Sequence, residues 1–166
     1  MNLIELITVI AIVGIMSGVV FGPIVSGVNL WNAIQFRDDA TSQGRLALER
    51  MVREMSWVKD DKSVVTANST TFTFVSALSG NETVTFQYDA ANSRILRGAD
   101  LLVGGVTACS ITYYNAANGA ISVPLVGNQR TDIVRMQLTV TLASGTQSVT
   151  VQEMIYPRNF FRKDRP

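Results

Sequence analysis

The chain has 166 residues, 47% of them hydrophobic, and a net charge of +1, which argues against a disordered class and against any bias toward polyanions such as nucleic acid. It contains no histidine, which removes Ser-His-Asp and Cys-His nucleophilic sites and every imidazole metal ligand. Its single cysteine, Cys109, rules out a disulfide within the chain.

Residues 1–36 read MNLIELITVIAIVGIMSGVVFGPIVSGVNLWNAIQF, and after Glu5 this stretch holds no Asp, Glu, Lys or Arg. A membrane-spanning helix needs about 20 mainly apolar residues, and residues 6–28 supply them. One span is therefore expected over residues 1–28. Glu5 lies at the mouth of the run, where a carboxylate in hydrocarbon is costly and marks a partner or a function. Its nearest covalent candidate is the terminal amine of Met1. Gly14, Gly18 and Gly22 recur at spacing four, with Ser26 continuing the row. Such a bare face lets a second helix approach closely where lipid supplies no hydrophobic driving force. Gly22-Pro23 is expected to kink or melt the helix, because proline lacks a donor and clashes with the carbonyl of Val19.

The run LIELITVIAIVG, with Glu5 fifth in the chain and Pro23 just beyond twenty, resembles the mature N-terminus of bacterial type IV pilins and type II secretion pseudopilins. The resemblance covers residues 1–23. It implies that a basic leader is removed by a prepilin peptidase, that Met1 is N-methylated, and that Glu5 serves assembly. It further implies storage in the inner membrane with the head outside the cytoplasm, then incorporation by a pilus or secretion assembly machinery into a helical homo-oligomeric filament. The chain departs from the family at two places: Asn2 replaces the usual threonine, and Pro23 falls one place late. An ordinary secretory signal does not fit, since no basic region precedes the apolar run and no A-x-A pattern follows it.

Charge begins abruptly after Phe36: residues 37–62 carry six bases and six acids. Leu48, Met51, Val52 and Met55 fall at i, i+3, i+4 and i+7, the spacing of one buried helical face, and Trp57 and Val58 extend it. Arg45/Glu49, Glu49/Arg53 and Arg50/Glu54 stand four apart, as expected of a solvated opposite face. An amphipathic helix over residues 29–58 is thus expected to lead into the head. Its run GRLALERMVREM also resembles the corresponding helix of minor pilins and minor pseudopilins.

Beyond Asp60-Asp61 the period changes from helical to alternating. TTFTFVSA at 70–77 and ETVTFQYD at 82–89 flank Leu-Ser-Gly-Asn, a hairpin signal, with Phe72 and Phe74 on one face and Val84, Phe86 and Tyr88 on the partner's. Strands are expected at 94–97, 101–103 and 108–114, the last placing Cys109 as a small buried filler. A surface loop follows at 115–129. Residues 133–143 and 147–155 then alternate on either side of Ser144-Gly145, the clearest hairpin in the chain. Residues 59–166 are enough for one β-rich head. The tail, residues 158–166, sets Phe160 and Phe161 among four bases and is expected either to fray or to dock on acids such as Asp38, Asp39, Asp60 or Asp61 of a neighbour.

No enzyme is expected: the chain has no GxxxxGK phosphate loop and no CxxC pair. No cofactor and no metal are expected either, since Asp132 and Glu153 fall in predicted strands rather than in an acidic loop. Asn68 and Asn81 match the glycosylation acceptor pattern, as Asn- and Thr-rich β sequences often do by chance. The fold class expected is α+β, a long N-terminal hydrophobic helix packed against an antiparallel head. The function expected is a structural filament subunit serving motility, adhesion or uptake. The alternatives are a minor pilin or type II secretion pseudopilin priming a filament tip, and a single-pass anchored β binding domain.

Overall fold

The computed structural model describes residues 2–78, 80–144 and 147–160. Among these, one α-helix, α1 (Leu3–Met55), precedes nine strands. The chain divides by its contacts into two units, residues 1–38 and residues 39–166.

The first unit is helix alone. Helical backbone runs through Gly14, Gly18, Gly22 and Pro23 without interruption, so local melting, one of the two outcomes expected at Gly22-Pro23, is not present in the single chain. Proline removes one intrahelical bond, and the aliphatic residues on both sides keep the remaining ladder closed.

In the second unit the C-terminal part of α1 buries Ala40, Gly44, Ala47, Leu48, Met51 and Met55, the stripe foreshadowed by Leu48, Met51 and Met55. Of the three i,i+4 pairs, Arg50–Glu54 forms, at 3.2 Å. The helix stops at Met55, two residues short of Trp57, and Val58 bridges instead to Ser76. Its last turn is closed by local bonds: Ser56 donates from both N–H and Oγ to the Val52 carbonyl, which satisfies one of the terminal acceptors every helix leaves open.

Two antiparallel sheets complete the head. The first is a meander, β1 (Val64–Ala67), β2 (Thr71–Val75), β3 (Thr83–Asp89), β4 (Arg94–Arg97) and β5 (Asp100–Gly104), in that spatial order. The second is ordered β7 (Ala120–Ile121), β6 (Val106–Tyr114), β8 (Arg135–Ser144), β9 (Gln147–Ile155). Phe72 pairs with Phe86 and Phe74 with Val84 across β2 and β3, all four buried. The Phe72 ring lies 5.2 Å from that of Phe74 and 6.0 Å from Tyr113 of the other sheet, within the range where aromatic pairs attract beyond simple burial. Tyr113, fully buried, donates its hydroxyl to the Asn68 carbonyl at 2.8 Å, so this large polar group of the core is satisfied.

The 78–81 turn holds Gly80 and Asn81 at positive φ, a conformation that glycine and asparagine adopt most readily; Ser79 lies outside the described residues. So do Gly145 and Thr146 of the last hairpin. The expected loop at 115–129 is more tightly held than its composition suggests. It contains β7, Leu125 is buried and donates its N–H to the Ala67 carbonyl, and a 3-10 turn at Gly127–Asp132 follows. Asp132 accordingly sits in that turn rather than in a strand, while Glu153 is in β9.

Candidate functional site

Within the first unit, every described large apolar side chain from Leu3 to Ile34 is exposed, between 46% (Leu6) and 78% (Leu3). The unit has no core of its own, and an 18-residue window of this helix reaches a mean hydropathy of 2.5. At about 25 cal/mol per Å² of apolar surface left in water, such a helix is strongly driven out of water. Its hydroxyls suit that destination: Thr8 Oγ1 donates to the Ile4 carbonyl and Ser17 Oγ to the Val13 carbonyl, both at 2.7 Å. No side-chain donor on those residues then faces an apolar surrounding unpaired.

Gly14, Gly18 and Gly22 lie on this helix with open space where a Cβ would be. A step of four residues overshoots one turn by about 40°, so the row climbs the helix obliquely, along the ridge that close right-handed helix crossings use.

Glu5 is engaged at the helix N-terminus. Its Oε2 accepts from the Asn2 backbone N–H at 2.9 Å, while the Asn2 carbonyl accepts from the N–H groups of Glu5 and Leu6 at 3.0 and 3.3 Å. Asn2 is thus the N-cap and Glu5 the third helical residue, whose carboxylate reaches back as in one half of a capping box. A negative charge there also complements the helix dipole. Sequence reasoning missed this local role, although Asn2-Leu3-Ile4-Glu5 carries its spacing. Met1, with its amine and the expected methylation, lies outside the described residues.

The head holds no comparable chemical constellation among the described residues. Cys109 is buried in β6, and burial pushes its thiol up to about 12, which disfavours the reactive thiolate. Among the described residues no group of three His, Cys, Asp or Glu side chains stands together to hold a metal ion. A cleft of about 320 Å³ lies between the end of α1 and β9, with Glu49, Arg53, Trp57, Glu153 and Arg158 on its walls. Arg158 closes it, its guanidinium 4.9 Å from the centre of the Trp57 ring and its N–H bonded to the Ser56 carbonyl at 2.9 Å. Asn159 adds a bond from Nδ2 to the Val58 carbonyl at 2.9 Å. The first residues of the tail therefore dock on their own chain. Phe161, Arg162, Lys163 and Arg165, expected either to fray or to dock on a neighbour, lie outside the described residues.

These features define an α+β protein whose N-terminal helix is long and apolar enough to cross a membrane. No family model matches the chain, and no curated protein matches it.

Proposed function

We propose that the chain is a structural subunit of a type IV pilus-like helical filament, held in the inner membrane by residues 1–28 until assembly and then packed through those same residues into a filament core. The observation that supports this reading most is the exposed helix from Leu3 to Ile34, apolar on every side and carrying one carboxylate, Glu5, at its mouth. Such a helix has two low-energy homes, lipid or an assembly of like helices. On this reading Glu5 neutralises the Met1 amine of the neighbouring subunit, because a lone carboxylate in an apolar interior costs several kcal/mol, of the order found for unpaired buried ions. That pairing fixes the axial stagger between subunits. The row Gly14, Gly18 and Gly22 supplies close helix contact, and Pro23 a point where regular helix can yield in the assembled form.

The bond from Asn2 to Glu5 favours a second reading, an anchored β binding domain in which Glu5 only caps its own helix. Two substitutions separate the readings. Glu5→Gln keeps an oxygen that accepts from the Asn2 N–H but removes the charge, whereas Glu5→Val removes both. A filament role requires both variants to insert normally and to yield at least tenfold less polymer than the unaltered chain at equal membrane level. If Glu5→Gln polymerises fully, the charge has no assembly role.

A further inference from the structure

The two sheets present four edge strands, and three of them are guarded. β1 has four residues and a register shift between Val64 and Thr66. β5 has five, opens on Asp100, and carries a shift opposite Ile95/Leu96. β7 has two. Short length, charge and bulges are the ordinary devices that keep sheet edges from pairing with another chain.

β9 is neither short nor bulged. It runs nine residues as QSVTVQEMI, with no proline or lysine and Glu153 as its single charge. Its register against β8 is unbroken over nine pairs, Met136↔Ile155 to Ser144↔Gln147. Among the described residues no backbone hydrogen bond ties β9 to anything except β8, so its outer row of N–H and C=O groups stands open.

We propose that β9 is a pairing edge whose occupant is β9 of a second copy of this chain, the two strands running antiparallel about Val151. The strand is self-complementary in that register. On the face turned from the core, Thr150 meets Gln152 and Ser148 meets Met154 of the second copy. On the other face Val151 meets its own counterpart and Glu153 meets Val149. The two Glu153 carboxylates then lie four residues apart along the strands, about 13 Å at the usual rise, so the only charge on the edge never faces itself. Pairing of residues whose numbers sum to an even value also keeps both core faces on one side, as a continuous eight-stranded sheet requires. A second copy is favoured over a charged peptide because the edge offers no cation and a lone carboxylate. This inference does not depend on the filament reading.

The test uses the full chain in detergent micelles. Thr150→Cys and Gln152→Cys copies, prepared separately, are mixed and oxidised. A disulfide should form in the mixture and be at least tenfold weaker in either variant alone, because like positions are about 7–8 Å apart along the diagonal, beyond the reach of a disulfide. Buried Cys109 stays silent. In parallel, the double variant Thr150→Lys/Gln152→Lys sets like charges opposite one another at two exposed positions. It should halve the protein mass per micelle measured by light scattering, with an unchanged far-ultraviolet spectrum. The proposal is overturned if the unaltered chain is monomeric at tens of micromolar, if cross-linking is equal with and without mixing, or if the lysine pair leaves the mass unchanged. The last result would assign any dimer to the N-terminal helix instead.

Discussion

Cys109 shows how one buried group couples the head to pH. The folded chain holds its thiol proton up to about 12, against an ordinary 9.0, because burial penalises the thiolate. The unfolded chain therefore releases a proton the folded chain keeps, and by linkage stability falls as pH rises through that window. The contribution is whole below about pH 9 and gone above about pH 12; at about 1.4 kcal/mol for each tenfold difference in proton affinity between the two states, it amounts to about 4 kcal/mol at most. Tyr113 is moved in the same direction, first by burial and then by the neighbouring Cys109, and adds to the loss from about pH 10. Urea titrations from about pH 8 to 11 should show falling stability, and Cys109→Ala should flatten the slope even though the smaller side chain lowers stability at neutral pH. An unchanged slope would mean that the thiol is hydrated in the folded head. Glu5 differs from Cys109 in how its role is read. Under the proposed filament function Glu5 pairs with a neighbouring subunit, while among the described residues it accepts from the Asn2 N–H of its own chain.

Where α1 packs on the second sheet, Gly44 is the residue that lets the helix come close. A Cβ on Gly44 would meet Leu142 Cδ1 at 3.0 Å and Val151 Cγ2 at 3.3 Å, so helix backbone rides directly over β8 and β9. Gly44→Ala gains about 1 kcal/mol of helix propensity and must displace a flexible leucine tip, so its net effect should stay within about 1 kcal/mol. Gly44→Leu has no such room and should cost at least about 3 kcal/mol, at the upper end of overpacking penalties. Thermal melts of the two variants against the parent check the contrast; equal melting points would mean the helix can lift from the sheet freely. Gly44 was not legible as a core residue, since glycine carries no hydrophobic signal and the i, i+3, i+4 pattern begins at Leu48. The strands were far more legible. The alternation of Phe72 and Phe74 with threonines, and of residues 133–143 and 147–155, fixes both face and partner, because a slip of one residue would turn every buried side chain to water. β1 and β7 were hidden for the opposite reason: β7 has two residues, too few to show a period, and β1 buries its first and last residues rather than alternate ones. The 2.7 Å bond from Arg97 Nε to Glu54 Oε2 was equally unreadable, because it joins residues far apart in the chain through tertiary packing alone.

At the scale of the whole chain, composition and contacts divide the molecule at different places. The uncharged run ends at Phe36 and the contact division falls after Asp38, whereas the length that spans a bilayer sets a first boundary at residue 28. Residues 29–36 are apolar or neutral without being needed to span, and they are also not part of the head's core, whose first buried residue is Ala40. A chain beginning at Arg37 should therefore keep the whole head. It retains Ala40, Gly44, Ala47, Leu48, Met51 and Met55, and it places Asp38 and Asp39 in the new first helical turn, where carboxylates are favoured by about 0.3–1 kcal/mol each through the helix dipole. The expected outcome is a protein soluble without detergent that melts cooperatively within about 5 °C of the full chain in micelles, a shift of about 1 kcal/mol or less for a domain of this size. Loss of cooperative melting would mean that the exposed N-terminal helix stabilises the head, and that the two units fold as one.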